Sequence, residues 1–255
     1  MTGQLLYLYA FVPAGIDTIE AEGLDQAPVR VIEADGVAMA VSSAPAGRLR
    51  AQRRHLAAHQ GVVKILAERG PTLPASFGLV ATEAELVSMT RANATTLLEE
   101  LGRVGGSVEY AVRLRFDGGE PFARLVAMDD ELRALRDELV DLGDAAPHDL
   151  RVAVGRRVES VLGHLRSAFG DTIGEAVREH SKDVQIGDPR DDAEIVNISC
   201  LVERGQEDAF ITSLTDAAEG IDDEYEIEIV GPFAPHSFVR INLAAATEEF
   251  TRTAA

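Results

Sequence analysis

His55 and His59 stand four residues apart in RRHLAAHQG, the spacing at which two imidazoles on one helix face can share a metal ion. Leu56 follows His55 where a zinc protease needs glutamate, and spacing places no third ligand, so solvent-facing or interface histidines are the expectation. Cys200 would need a base such as His180 or His236 to act as a nucleophile. It lies in the apolar run IVNISCLVE, however, where a cysteine is an inert core residue. Asp188, Asp191, Asp192 and Glu194 crowd one loop, but Pro189 and Arg190 interrupt it and the central glycine of a calcium loop is missing. Gly102, Gly105 and Gly106 follow a helical pattern and precede a strand, whereas a phosphate loop lies between a strand and a helix. No phosphate-binding lysine loop, serine elbow or paired-cysteine motif occurs. These residues therefore name no catalytic, cofactor-binding or metal group, and a chain that is not an enzyme is expected.

The elements that would position any site come in two groups. With 255 residues the natural division is two domains, drawn here at 1–104 and 105–255 because the glycine cluster closes the first helical set. Residues 4–12 form a buried strand, and 28–33 and 37–42 form two more around Asp35-Gly36, a dipeptide suited to a primed hairpin turn. Helical spacing follows over 46–69, with Leu49, Leu56 and Val63 on one stripe, and Gly70-Pro71 ends it. Thr82 and Glu85 fit a capping box that opens a helix to about Leu101. The second group has a strand at 108–116, a short charged helix at 129–142, and a long apolar stripe from Leu150 to Val177. Glycines in that stripe lead us to expect a break near Gly170-Asp171. A polar loop at 185–194, a strand at 195–203 and a helix at 205–218 follow, and the last dozen residues read as frayed.

The formal charge of −19 disfavours nucleic acid and anionic membranes as partners and suits a protein that keeps an aggregation-prone partner dispersed. No run reaches the roughly 18 apolar residues of a membrane span, the amino terminus lacks the basic flank of an export signal, and the single cysteine fits a reducing, cytoplasmic interior.

The most distinctive stretch is YEIEIVGPFAPHSFVRINL, residues 225–243. Tyr225, Ile227 and Ile229 alternate with Glu226 and Glu228 as in a strand with one wet face. Pro232 and Pro235 cannot donate to a ladder, so regular pairing should stop there by a bulge, a bend or a protected edge, and resume with Val239, Ile241 and Leu243. Phe233 and Phe238 are left on irregular backbone, where they either lock a corner or offer a binding surface.

Four stretches in order, LLYLYAFVPA, HQGVVKILAERGPTLPASFGLV, GGSVEYAVRLRF and EIEIVGPFAPHSFVRINL, resemble the GvpF/GvpL family of gas vesicle proteins. Gly231, Pro232, Phe233, Pro235, Ser237 and Phe238 match the family's Gly-Pro-aromatic ending, with Phe233 where Trp is common, Ala234 where Pro is common and His236 where Tyr is common. Leu73, Pro74, Phe77 and Gly78 match its central segment, whereas Ala75-Ser76 stand where a bulky residue and Arg are frequent. The resemblance implies an α+β protein of two domains, a small N-terminal sheet with helices and a modified ferredoxin-like C-terminal domain. It also implies a location at gas vesicles, no enzyme activity, no cofactor and no metal. The implied role is an accessory or minor structural one in vesicle assembly, with the major shell protein and other gas vesicle accessory proteins as partners. Phe233, Phe238, Pro232, Pro235 and His236 are the expected partner-binding residues. The competing expectation is a ferredoxin-like small-molecule-binding protein or enzyme with its site between the domains.

Overall fold

The computed structural model describes residues 4–16, 18–47, 49–118 and 120–241. Contacts divide the chain into two units, Met1–Glu109 with Pro232–Ala255, and Tyr110–Gly231. The first cut thus falls a few residues beyond the expected 104/105 division, and the chain from Pro232 groups with the first unit rather than with the second.

The first unit is built on β1 (Leu5–Pro13), β2 (Arg30–Ala34), β3 (Val37–Ser43), α1 (Arg53–Arg69), β4 (Leu73–Pro74), β5 (Val80–Thr82), α2 (Glu83–Ala92) and α3 (Ala94–Val104). Its sheet has the order β2-β3-β1-β4, with β5 also paired to β1. Every residue from Leu6 to Val12 is buried, which is what the unbroken apolar run demands of a strand covered on both faces. Tyr7, Tyr9, Ala38 and Ala40 join Val62, Val63 and Leu66 of α1 in one core. Met39 points the opposite way, where its sulfur receives the Thr90 hydroxyl of α2 at 3.0 Å. The Asp35-Gly36 turn forms as the sequence suggests, with φ of 48° and 83°.

α1 starts at Arg53 rather than at 46: Gly47 has φ +83°, outside helical space, and Gln52 is still extended at φ −82°, ψ 147°. Thr82 and Glu85 form the capping box, but the helix it opens breaks at Asn93 (φ −121°, ψ 12°) into α2 and α3.

The second unit is built on β6 (Ser107–Phe116, from Tyr110 on), α4 (Pro121–Met128), α5 (Asp130–Leu142), α6 (His148–Glu179), β7 (Asp183–Ile186), β8 (Glu194–Glu203), α7 (Glu207–Ala218) and β9 (Tyr225–Phe233, up to Gly231). Its sheet order is β7-β8-β6-β9. With the four strands numbered along the chain this reads 2-3-1-4, the ferredoxin-like βαββαβ arrangement, modified by three helices in the first crossover. α6 and α7 pack on β8, the Tyr110 ring meets Phe210 at a tilt of 41°, and Tyr225 touches both Phe116 and Phe169.

α6 is continuous over its 32 residues, and the break expected at Gly170 does not occur. Ile173, Gly174 and Val177 are buried just beyond it. Burial of each large aliphatic side chain contributes about 1.5–3 kcal/mol, more than the roughly 1 kcal/mol that a helical glycine costs.

Candidate partner interface at the terminal turn

β9 forms one edge of its sheet, so Pro232 lies in the strand without removing a ladder bond from a central position. Of the three endings that the prolines allowed, the edge position is the one found, and the strand runs to Phe233. A single 3-10 turn, His236–Phe238, comes next, closed by the Phe238 amide on the Pro235 carbonyl at 3.2 Å. The strand expected to resume at 237–243 is not formed over the described residues to Ile241; Leu243 and the last dozen residues lie outside them.

The two prolines and two phenylalanines have opposite fates. Pro232 and Phe233 face outward, with Phe233 44% exposed, whereas Pro235 is buried and Phe238 is 0% exposed. Of the five residues expected to meet a partner, Pro232 and Phe233 lie fully on the surface and His236 lies partly on it. Ala234 enters the core beneath α1.

Residues that sequence reasoning passed over hold this turn in place. Glu109, only 6% exposed at the start of β6, accepts the Ser237 amide at 2.8 Å and its hydroxyl at 2.6 Å. Arg103 of α3 makes a two-pronged pair with Glu100 at 3.0 and 2.7 Å and donates to the Phe238 carbonyl. Glu100, held below the usual carboxylate range by the Arg103 guanidinium, accepts the Arg240 amide at 3.3 Å. The one available signal was Glu109 itself, an acidic residue inside the apolar run SVEYAV.

The histidines are not where they were expected. His55 and His59 are both buried. The His55 ring nitrogens lie 3.2 Å from the Arg50 carbonyl and 3.1 Å from Asp25. Nδ1 of His59 lies 2.8 Å from the Tyr7 hydroxyl. The Tyr7 oxygen in turn accepts the Gly78 amide at 3.2 Å, and Tyr9 and Phe77 complete an aromatic box around the ring. Burial first, and then the neighbouring His236, push the His59 pKa down to about 4. His236 donates from Nε2 to the Gln60 amide oxygen at 3.1 Å, and burial lowers its pKa also.

The remaining candidates have structural employment. Cys200 is fully buried on β8. Asp191 caps its own loop by accepting the Ala193 and Glu194 amides at 3.0 and 3.1 Å, and pairs with Arg115 at 2.9 Å. Glu194, also fully buried, accepts the Arg190 amide at 2.6 Å. Among the described residues no three His, Cys, Asp or Glu side chains gather as a metal cage. A groove of about 100 Å³ in the first unit, lined by Phe11, Pro74, Leu79, Val239 and Ile241 among others, is well below the roughly 300–1,000 Å³ of a ligand pocket. No described helix is long and apolar enough to cross a membrane.

A family model described as gas vesicle synthesis protein GvpL/GvpF matches residues 5–240. The chain belongs to the GvpL/GvpF family. It is similar to gas vesicle protein F of a Streptomyces species, 31% identical over 213 residues that cover 83% of this chain and 88% of the relative. It is also similar to gas vesicle protein L1 of Halobacterium salinarum, 27% identical over 253 residues, with 91% and 89% covered. The fold matches the crystal structure of GvpF from Anabaena sp. PCC7120 with a TM-score of 0.77 at 24% identity, covering 94% of this chain and 99% of that one. GvpF from Microcystis aeruginosa matches with a TM-score of 0.76 at 23% identity, covering 93% and 99%. This GvpL/GvpF chain is therefore a gas vesicle-related protein with the two-domain α+β fold of its relatives, and those relatives are named as gas vesicle proteins rather than as enzymes.

Proposed function

We propose that this GvpL/GvpF protein acts in gas vesicle assembly by binding the major shell protein, and that the contact is made at the outer end of β9 by Pro232 and Phe233. A shell that keeps its interior dry needs an apolar subunit, which aggregates before assembly unless a partner covers it. The observation that carries the reading is an aromatic side chain left 44% exposed at the end of an edge strand, next to a proline that blunts further strand pairing. The −19 charge keeps the loaded pair dispersed, and the complex forms in the cytoplasm and ends at the vesicle.

The test is co-purification of the shell protein with Phe233→Ala. Truncating an exposed aromatic anchor removes about 1–2 kcal/mol, so recovery falls roughly fivefold to thirtyfold while the fold is retained. Wild-type recovery with the folded variant rejects this corner as the contact.

A further inference from the structure

β9 has a neighbouring strand on one side only, because the sheet order β7-β8-β6-β9 ends with it. The Asp117 amide, just past β6, donates to the Glu224 carbonyl at 2.9 Å, so the backbone of Glu224 faces β6. Ladder groups alternate along an antiparallel strand, and Ile227 and Ile229 therefore turn their N–H and C=O groups away from β6. The Tyr225 amide is taken by the Asp222 carbonyl at 3.0 Å, which leaves the Tyr225 carbonyl to open the free edge. Such an edge is ordinarily blunted by proline or lysine, but the first proline here is Pro232 and no lysine lies between Tyr225 and Gly231.

The two faces beside that edge differ. Tyr225 meets Phe116 and, on α6, Phe169, and the half-buried Ile227 and Ile229 follow it at the strand period of two. Glu226 and Glu228 point to the opposite face, where Glu228 pairs with Arg113 at 2.9 Å. Asp222, Asp223 and Glu224 precede the strand, all exposed, with Arg124 3.8 Å from Glu224. Among the described residues Asp222, Asp223 and Glu226 have no ion-pair partner. The edge thus combines unpaired backbone groups, an apolar flank and an excess of negative charge.

We infer that the free edge of β9 takes up an extended segment of a partner protein as a further strand, one in which apolar residues alternate with lysine or arginine. Ile227 and Ile229 supply the main-chain bonds, the apolar side chains of the added strand lengthen the row of Tyr225, Ile227 and Ile229, and its cations stand against Glu226 and Glu228. A second copy of this chain does not fit, because pairing β9 with itself sets Glu226 and Glu228 against carboxylates, and like charges directly opposite destabilise a ladder. This surface is separate from the exposed Phe233 ring and does not depend on what that ring meets.

The test is titration of the full chain with short synthetic peptides, followed by NMR of its backbone amides. The probes are a peptide of alternating valine and lysine, the same residues shuffled, the alternating peptide N-methylated on the residues that would face β9, and a peptide of alternating valine and glutamate. The valine-lysine peptide should shift the Ile227 and Ile229 amides and slow their exchange, and the shuffled and N-methylated peptides should bind at least about tenfold more weakly. Glu226→Gln/Glu228→Gln should weaken the valine-lysine peptide about fivefold. Glu226→Gln alone leaves the Arg113 pair intact and should weaken it about twofold, which keeps the test open if the double variant is unstable. Equal binding of the alternating, shuffled and N-methylated peptides overturns the inference, since charge attraction alone would then account for it. Equal binding of the valine-glutamate peptide overturns it too, as does the absence of binding by the valine-lysine peptide below about 1 mM, or binding that leaves Ile227 and Ile229 untouched.

Discussion

Ser237→Ala and Glu109→Ala, alone and combined, measure how firmly the terminal turn is fastened on its acidic side. Ser237 gives Glu109 two bonds, from its amide at 2.8 Å and its hydroxyl at 2.6 Å. A hydrogen bond to a charged group contributes about 1.5–3 kcal/mol. The lower figure applies here, because Ser237 is exposed enough for water to replace its partner, while Glu109, 6% exposed, gains solvation when it is freed. Ser237→Ala removes only the hydroxyl bond and should cost about 1.5 kcal/mol of local opening free energy. Glu109→Ala removes both and should cost about 3 kcal/mol. Adding Ser237→Ala to Glu109→Ala should then cost almost nothing, giving a coupling energy of about 1.5 kcal/mol. The assay is exchange of the residue 237 amide itself at pH 7.5, followed by NMR, since that proton is one of the two under test. Protection should fall about 13-fold in Ser237→Ala and about 150-fold in both Glu109→Ala and the double variant. Additive losses, with the double variant opening another order of magnitude beyond Glu109→Ala, would refute the clamp.

Two other sites give sharp outcomes. A Cβ on Gly23 would lie 1.9 Å from the Tyr9 hydroxyl oxygen, so Gly23→Ala must displace the group that accepts the Leu24 amide and meets Ser42, each at 2.8 Å. A loss of about 2–3 kcal/mol in urea unfolding of the first unit is expected, and a loss under about 0.5 kcal/mol shows that the ring moves freely. In the second unit, Arg157 grips Asp129 at 2.9 and 2.6 Å and holds its carboxyl down to about 2, while Asp129 also caps α5 through the Leu132 amide. A carboxyl depressed in the folded state stabilises above its ordinary value near 4, and that contribution is lost as the pH falls towards 2. The melting temperature of Arg157→Ala should therefore lie below the wild type at pH 6, and the gap should close by pH 2.5; a gap that persists undiminished contradicts the pairing.

The sequence was most legible where one local rule had no competitor. Asp35-Gly36 had to turn, Thr82 with Glu85 had to cap, and the apolar run of β1 could only be a strand covered on both faces. It was least legible where packing decides. β7 has four residues, two of them polar and none fully buried, and forms as an edge strand paired antiparallel to β8, which no local pattern announces. α4 was missed because it is only eight residues long, begins at Pro121 itself and buries only Leu125 and Val126. His59 read as a solvent-facing or interface residue four positions from His55; only the partners supplied from β1 and the chain after β4 make it a core histidine. The terminal motif advertised its prolines and phenylalanines, but the side chains that hold it lie more than a hundred positions upstream at Glu100, Arg103 and Glu109, where no local pattern connects them.

Why one phenylalanine ends outside and the other inside follows from the prolines. Pro232 sits in an edge strand that needs no donor from it, so the strand continues to Phe233, its last residue, and leaves that ring 44% exposed. Pro235 fixes the entry to a 3-10 turn, which reverses the chain within three residues and sends Phe238 inward while its carbonyl meets Arg103. Deleting both rings together would therefore confound a lost contact with a lost anchor. Phe238→Ala removes a fully buried ring, a change that costs about 3–5 kcal/mol in a packed core, enough to unseat the turn whatever it binds. Only Phe233 can report on recognition, and only when the exchange behaviour of residues 234–241 shows that the turn after it is unchanged.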